Sequence, residues 1–283
     1  MIRGFGKRHD EPFVIDDILL SRYNDVAAAW RALRLRTGVR IREVACVGAP
    51  RTLLLAELGD PRLPVVTISA GIHGDEPAGV WALRSLVADG LLDPRYGYRL
   101  WPCFNPTGFD AGTRVNAEGT DVNRSFGRGG SSPEAKAILT ANRDRVFALS
   151  IDLHEDHEAT GFYLYETAPS SRPSSYAGAV TAGLREAGFP LQPLDPGYEL
   201  GPPGSEVAQS RGLGAVVVDA PRETPFFGGA LPLGLVLVRR AVPCALTFET
   251  PLARPTAERV AMHRVAVVAA LRQLTRAGAA NDA

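Results

Sequence analysis

Cysteine is scarce: Cys46, Cys103 and Cys244 are the only three in 283 residues, odd in number, widely spaced and set in apolar surroundings. That pattern argues against a disulfide framework or a thiolate metal site and for buried thiols. Net charge is lacking too. The 31 basic residues balance the 31 acidic ones, so composition gives no sign of affinity for nucleic acid or membranes. No run approaches the apolar length of a membrane span. The opening stretch, Met1 to Asp10, has no apolar core and does not read as a signal peptide. No linker or low-complexity segment divides the chain, and its length suits one large α/β domain over 1–283. These absences fit a protein of the reducing cytoplasm.

What is present is a set of polar motifs at the ends of apolar runs. Val65-Val66-Thr67-Ile68-Ser69-Ala70 is β-branched and reads as a buried strand. It leads into Ile72-His73-Gly74-Asp75-Glu76-Pro77, where Gly71 and Gly74 permit a sharp turn and Asp75 with Pro77 suits a helix start. On a helical turn positions i and i+3 share a face, so His73 and Glu76 can converge on one metal ion. With five histidines in the chain, such a pair needs context. That context is downstream: Asn105-Pro106-Thr107-Gly108, the segment from Arg114 to Phe126, Ser150-Ile151-Asp152-Leu153-His154, and Ala245 to Pro251. A hydrolytic zinc site needs three protein ligands and an open position for water. His154, ending a second strand, is the natural third ligand. Glu249, Arg114 and the Asn123-Arg124 pair are the right types for a general base, an oxyanion cation and a substrate grip.

In order, these motifs are His-x-x-Glu, Asn-Pro-x-Gly, Arg-x-Asn-x-x-Gly-x-Asp-x-Asn-Arg, Asp-Leu-His and Thr-Phe-Glu. The chain thereby resembles the zinc metallocarboxypeptidases typified by carboxypeptidase A, above all their shorter bacterial members. The related succinylglutamate desuccinylase and aspartoacylase branch shares the first four motifs. The resemblance implies one zinc ion per chain, held by His73, Glu76 and His154. It implies that Arg114 polarises the scissile carbonyl, that Asn123 and Arg124 hold a free substrate carboxylate, and that Glu249 is general base and acid. Asp121 falls where the family places a carboxylate that orients the first histidine. A tyrosine that commonly closes over the substrate has no counterpart in Phe226-Phe227-Gly228-Gly229-Ala230, so either Tyr198 moves in or the role is absent.

Alternating strands and helices predict a three-layer α/β/α sandwich with a mixed central sheet. The reading places helices at Asp25 to Arg36, at Pro133 to Phe147 with Ser132 as N-cap, at Tyr176 to Ala187 and at Thr256 to Thr275. Strands are predicted at Ile41 to Val47, Arg51 to Leu58, Arg99 to Phe104, Ala148 to Leu153, Ala215 to Val218 and Cys244 to Phe248. Gly201-Pro202-Pro203-Gly204 reads as a loop near the site, and Arg222 and Glu223 as pocket or surface residues. His154-x-x-His157 is an alternative metal pair, which leaves the first pair without a partner. His9 and His263 lack such context and are expected at the surface. The expected activity is cleavage of an amide next to a free carboxylate, as a carboxypeptidase on peptides. The alternatives are deacylation of N-acyl amino acids and a metal-free binding protein on a hydrolase fold.

Overall fold

The structure, a computed structural model, describes residues 22–127, 130–169, 176–194, 208–210, 213–219 and 229–281. Tyr198, Arg222, Glu223, His9, the loop 201–204 and residues 226–228 lie outside them. In chain order the elements are α1 (Tyr23–Thr37), β1 (Arg40–Val44), β2 (Leu53–Leu58), β3 (Val65–Ala70), α2 (Ala78–Ala88), β4 (Gly97–Trp101) and α3 (Pro106–Ala111). A short 3-10 turn (Val122–Arg124) precedes α4 (Pro133–Ala141), β5 (Leu149–Asp156), β6 (Tyr163–Ala168) and α5 (Tyr176–Glu186). Then come β7 (Ala208–Ser210), β8 (Ala215–Asp219), α6 (Leu233–Arg239), β9 (Ala245–Pro251) and α7 (Thr256–Asn281).

Among the described residues nine strands form one mixed sheet in the order β1-β2-β4-β3-β5-β9-β6-β8-β7. The centre is parallel, β4-β3-β5-β9, and antiparallel pairs flank it at β1/β2, β2/β4 and β9/β6. One face packs its apolar residues (Ile68, Ile151, Leu153, Phe248) against α1, α2, α5 and α7. The other packs Leu53, Leu55, Val216 and Val218 against α4 and α6. This is the three-layer α/β/α sandwich with a mixed sheet that the alternation of strands and helices predicts. No helix among the described residues is long and apolar enough to cross a membrane.

Several boundaries move, each for a physical reason. β4 stops at Trp101 because Pro102 has no N–H for the ladder. α4 stops at Ala141, well short of Phe147. Buried Arg99 caps the helix there, donating from Nη2 to Ala141 O at 2.7 Å and from Nε to Asn142 Oδ1 at 2.7 Å. Ser132 does cap this helix, accepting from Ala135 N at 3.1 Å. β5 runs on to Asp156 and β9 to Pro251, paired His154↔Glu249 and Asp156↔Pro251, so both chemistry-bearing residues sit inside strands rather than at their ends. β6 is a strand that the sequence reading passes over, and α7 continues beyond Thr275 to Asn281.

The expectation for His263 is overturned. The side chain is fully buried under β9, with Nε2 3.3 Å from Thr250 Oγ1. Burial, reinforced by His154 and Arg259, lowers its pKa to about 3, so the ring is neutral. All three cysteines are buried free thiols, as expected.

Candidate metal and catalytic site

Strand β3 hands over to α2 through a turn in which Glu76 N donates to His73 O at 3.4 Å. The turn packs so closely on α3 that a Cβ at residue 74 would stand 1.9 Å from the Gly108 carbonyl carbon, so only glycine fits. The imidazole and carboxylate are thereby aimed at the next strand. Because β3 and β5 are parallel neighbours, His154 arrives beside them. His73 Nδ1 lies 2.6 Å from Glu76 Oε1, and His154 Nδ1 lies 2.9 Å from Glu76 Oε2. Ligand atoms of these three buried residues all fall within 4.8 Å of one another.

The outer nitrogens explain the inner ones. His73 Nε2 faces Asp121 Oδ1 at 3.3 Å, and His154 Nε2 faces Asp152 Oδ2 at 3.1 Å. Asp152 is itself held by Ser69 Oγ at 2.7 Å. When each Nε2 donates its proton to its carboxylate, both Nδ1 lone pairs point at an anionic carboxylate. Acceptors that close require protons or a cation between them. Burial opposes the charge on His154, but Asp152 and Glu76 outweigh it and raise its pKa well above the ordinary value. Burial likewise opposes the Glu76 charge, but the two histidines lower its pKa to about 2. The donor set, two imidazoles and a carboxylate, fits a divalent metal of the zinc type.

The remaining predicted residues gather around this focus. Asn105 caps α3, accepting from Gly108 N at 2.9 Å, and donates from Nδ2 to Arg114 O at 3.2 Å, so the Asn-Pro-x-Gly motif anchors the loop that carries Arg114. Asp121 receives Arg114 Nε at 3.1 Å and Nη2 at 3.0 Å, which leaves Nη1 3.3 Å from His73 Nδ1. Asp121 also caps the 3-10 turn, accepting from Asn123 N at 2.8 Å. Burial works against its charge, but His73, Arg114 and Arg124 hold its carboxyl well below the usual range. Asn123 Oδ1 accepts from Leu233 N at 3.2 Å, tying the turn to α6. Arg124 is exposed and lines the cavity.

The cavity measures about 280 Å³ and opens over one sheet face. Period-two alternation turns Asp152, His154 and Asp156 of β5, Thr247 and Glu249 of β9, and Tyr163, Tyr165 and Thr167 of β6 toward it. Pro232, Gly234 and Leu235 close the far side. Burial, reinforced by Glu76, Asp156 and Asp152 and opposed by His154, pushes the Glu249 carboxyl up to about 8. His157 lies at the rim near Asp75 (Nε2 to Oδ2, 3.6 Å) and is half exposed, apart from the three-ligand group. His154-x-x-His157 is therefore not the pair the fold assembles.

Two residues at the site escape the sequence reading. Asp152 precedes His154 by two, which in a strand puts both on one face, so alternation within Asp-Leu-His was the available signal. Tyr163 stands opposite Glu249 in register, and its hydroxyl donates to Asp156 Oδ2 at 2.7 Å. It comes from the strand the reading missed.

Comparison with known proteins agrees with the motif resemblance. Residues 62–193 match the model of the succinylglutamate desuccinylase/aspartoacylase catalytic domain. That span holds His73, Glu76, Arg114, Asp121, Asn123, Arg124 and His154, and it ends before Glu249. No curated protein matches the chain. Among solved structures, a protein of Shewanella denitrificans OS217 described as a candidate metallopeptidase superimposes with a TM-score of 0.70 at 24% identity, covering 87% of this chain and 88% of that one. A Pseudomonas aeruginosa metallo-carboxypeptidase in complex with (2-guanidinoethylmercapto)succinic acid gives 0.60 at 17%, covering 89% and 69%. A Rhodobacter sphaeroides succinylglutamate desuccinylase/aspartoacylase gives 0.54 at 16%, covering 84% and 66%. The chain has the fold of the metallocarboxypeptidase and desuccinylase/aspartoacylase hydrolases.

Proposed function

We propose that this protein is a zinc-dependent hydrolase that cleaves an amide bond beside a free carboxylate, acting as a metallocarboxypeptidase on peptides. The observation that carries this reading is the convergence of both Nδ1 atoms on the Glu76 carboxylate, with each Nε2 backed by its own aspartate. One zinc per chain, held by His73, Glu76 and His154, would supply Lewis acidity and a bound water of lowered pKa. Glu249, across the strand pair from His154, takes the proton of the attacking water and returns it to the leaving amine. Arg114, reaching within 3.7 Å of Glu76 Oε1, faces the negative charge that develops on the carbonyl oxygen. Asn123, its Oδ1 engaged by Leu233, offers its amide nitrogen beside Arg124 to the substrate carboxylate. The cavity along Tyr163, Tyr165, Thr167 and Thr247 takes the side chain next to that carboxylate. Buried free thiols suit a cytoplasmic setting.

The second reading is deacylation of an N-acyl amino acid, favoured by the family match over residues 62–193. The Thr-Phe-Glu-Thr-Pro run of β9 resembles the carboxypeptidase side more closely and decides our choice. Assay of peptides with free C-termini against N-acyl amino acids separates the two. Peptides with amidated C-termini should be poor substrates. Arg124→Lys should raise KM for free carboxylates while sparing metal content, because lysine cannot make two parallel hydrogen bonds. Equal cleavage of free and amidated peptides by the native protein removes the carboxypeptidase reading.

A further inference from the structure

Glu155 follows His154 on β5, and alternation turns its side chain to the helix layer, where it is completely buried. A carboxylate buried there needs partners, and the structure supplies them. Oε1 accepts from Ala78 N at 2.6 Å, and Oε2 forms an ion pair with Arg259 of α7. The backbone N–H of Glu155 donates to Glu76 Oε2 at 3.1 Å. Ala78 opens α2, two residues after Glu76. The backbone of Glu155 therefore holds the Glu76 carboxylate, and its side chain, through Ala78, holds the start of the helix that follows Glu76. The helix can come this near only because residue 79 is glycine: a Cβ there would lie 2.8 Å from Leu153 Cβ and 3.0 Å from Leu153 O. Arg259 is fixed in turn, donating from Nη2 to Thr256 Oγ1 at 2.9 Å.

We propose that Glu155, neutralised by Arg259, is the positioning residue for Glu76 and sets how tightly the site holds its metal. The inference rests on the metal-hydrolase reading above and adds a determinant of affinity drawn from the opposite side of the sheet. The reason is geometric. Glu76 spans both histidines, so a small rotation of its carboxylate spoils both contacts at once. Removing one charge of a buried pair leaves the other uncompensated, whereas removing both is often nearly neutral.

The test is a zinc titration of metal-free protein against a chromogenic chelator, with the cobalt absorption spectrum reporting the geometry of the site. Glu155→Ala and Arg259→Met should each weaken zinc binding by about 10–100-fold, the usual cost of losing an outer partner of a ligand. The double variant Glu155→Gln/Arg259→Met keeps an oxygen acceptor for Ala78 and buries no charge. It should recover to within roughly threefold of the native affinity. Should Glu155→Ala fail to fold, Arg259→Met and the double variant decide the matter. Native zinc affinity in the single variants, with only the melting temperature lowered, overturns the proposal. So does a folded double variant as weak as Arg259→Met. A native protein that binds no stoichiometric zinc removes the metal reading itself, and this inference with it.

Discussion

The two faces of the β5–β9 strand pair both carry polar residues but use them differently. Toward the cavity stand Asp152, His154 and Glu249, with open space before them. Toward the helices stand Glu155 and Thr250, fully enclosed, each engaged by a side chain of α7. Leu153 and Phe248 interleave with these in the apolar core. On the closed side Glu155 and Thr250 take their partners, Arg259 and His263, from the protein itself. On the open side two imidazoles and a carboxylate crowd into contacts that a cation would relieve. The lesson is that burial of polar groups does not by itself mark a site. What marks it is polar groups whose mutual contacts are completed by something from outside.

The strongest way to break this contrast is to delete a ligand on the open face. His154→Ala or His73→Ala should abolish stoichiometric zinc, measured by elemental analysis, together with activity. Full metal retention in both variants would void the assigned ligands. Next in size is Glu249→Gln. It should keep zinc, yet lose turnover by about 10²–10⁴-fold, since an amide cannot accept the water's proton. A near-native kcat would send the proton elsewhere.

Asp152→Asn probes the boundary between the faces. An amide can still accept from His154 Nε2 but carries no charge, so zinc affinity should fall by roughly 10–100-fold. Unchanged affinity in the chelator competition would reduce Asp152 to packing.

The smallest effect concerns the metal-free protein. The Glu249 carboxyl rises from an ordinary value of 4.5 to about 8, so the folded state binds its proton more tightly than the unfolded chain does. Its contribution to stability is therefore complete below about pH 4.5 and lost as pH climbs to about 8. Glu76 has the opposite sign: lowered to about 2, it stabilises above its ordinary 4.5 and loses that contribution as pH falls toward 2. Metal-free Glu249→Gln should thus exceed the native protein in stability at pH 8 by on the order of 1–3 kcal/mol. The gain should vanish near pH 4.5 in urea melts. A gain independent of pH would mean that Glu249 titrates alike in the folded and unfolded states.

Much of the fold was legible because strands such as β3 and β8 are β-branched runs and the helices recur at their own period. The His73-to-Glu76 turn, the Ser132 cap and the alternation of layers all follow from neighbours in the chain. The errors fall where a distant partner intervened. Pro133 to Phe147 reads as helix, but Arg99 consumes its carbonyl end at Ala141. Tyr163 to Ala168 has little of a strand's pattern by itself, and it becomes one by pairing with both β9 and β8. His263 looks like a surface residue until β9 covers it.

Sequence alone determined which residue types stand within one turn or one strand repeat of each other: His73 with Glu76, Asp121 with Asn123 and Arg124, Asp152 with His154. These pairs depend on backbone geometry, which the local chain sets. Tertiary structure decided everything that crosses the sheet. Parallel pairing of β3 with β5 brought His154 to Glu76, the β5–β9 register set Glu249 opposite it, and α7 carried Arg259 to Glu155. A buried charge takes its partner from whatever element packs against it, and that choice is made by packing rather than by position in the chain.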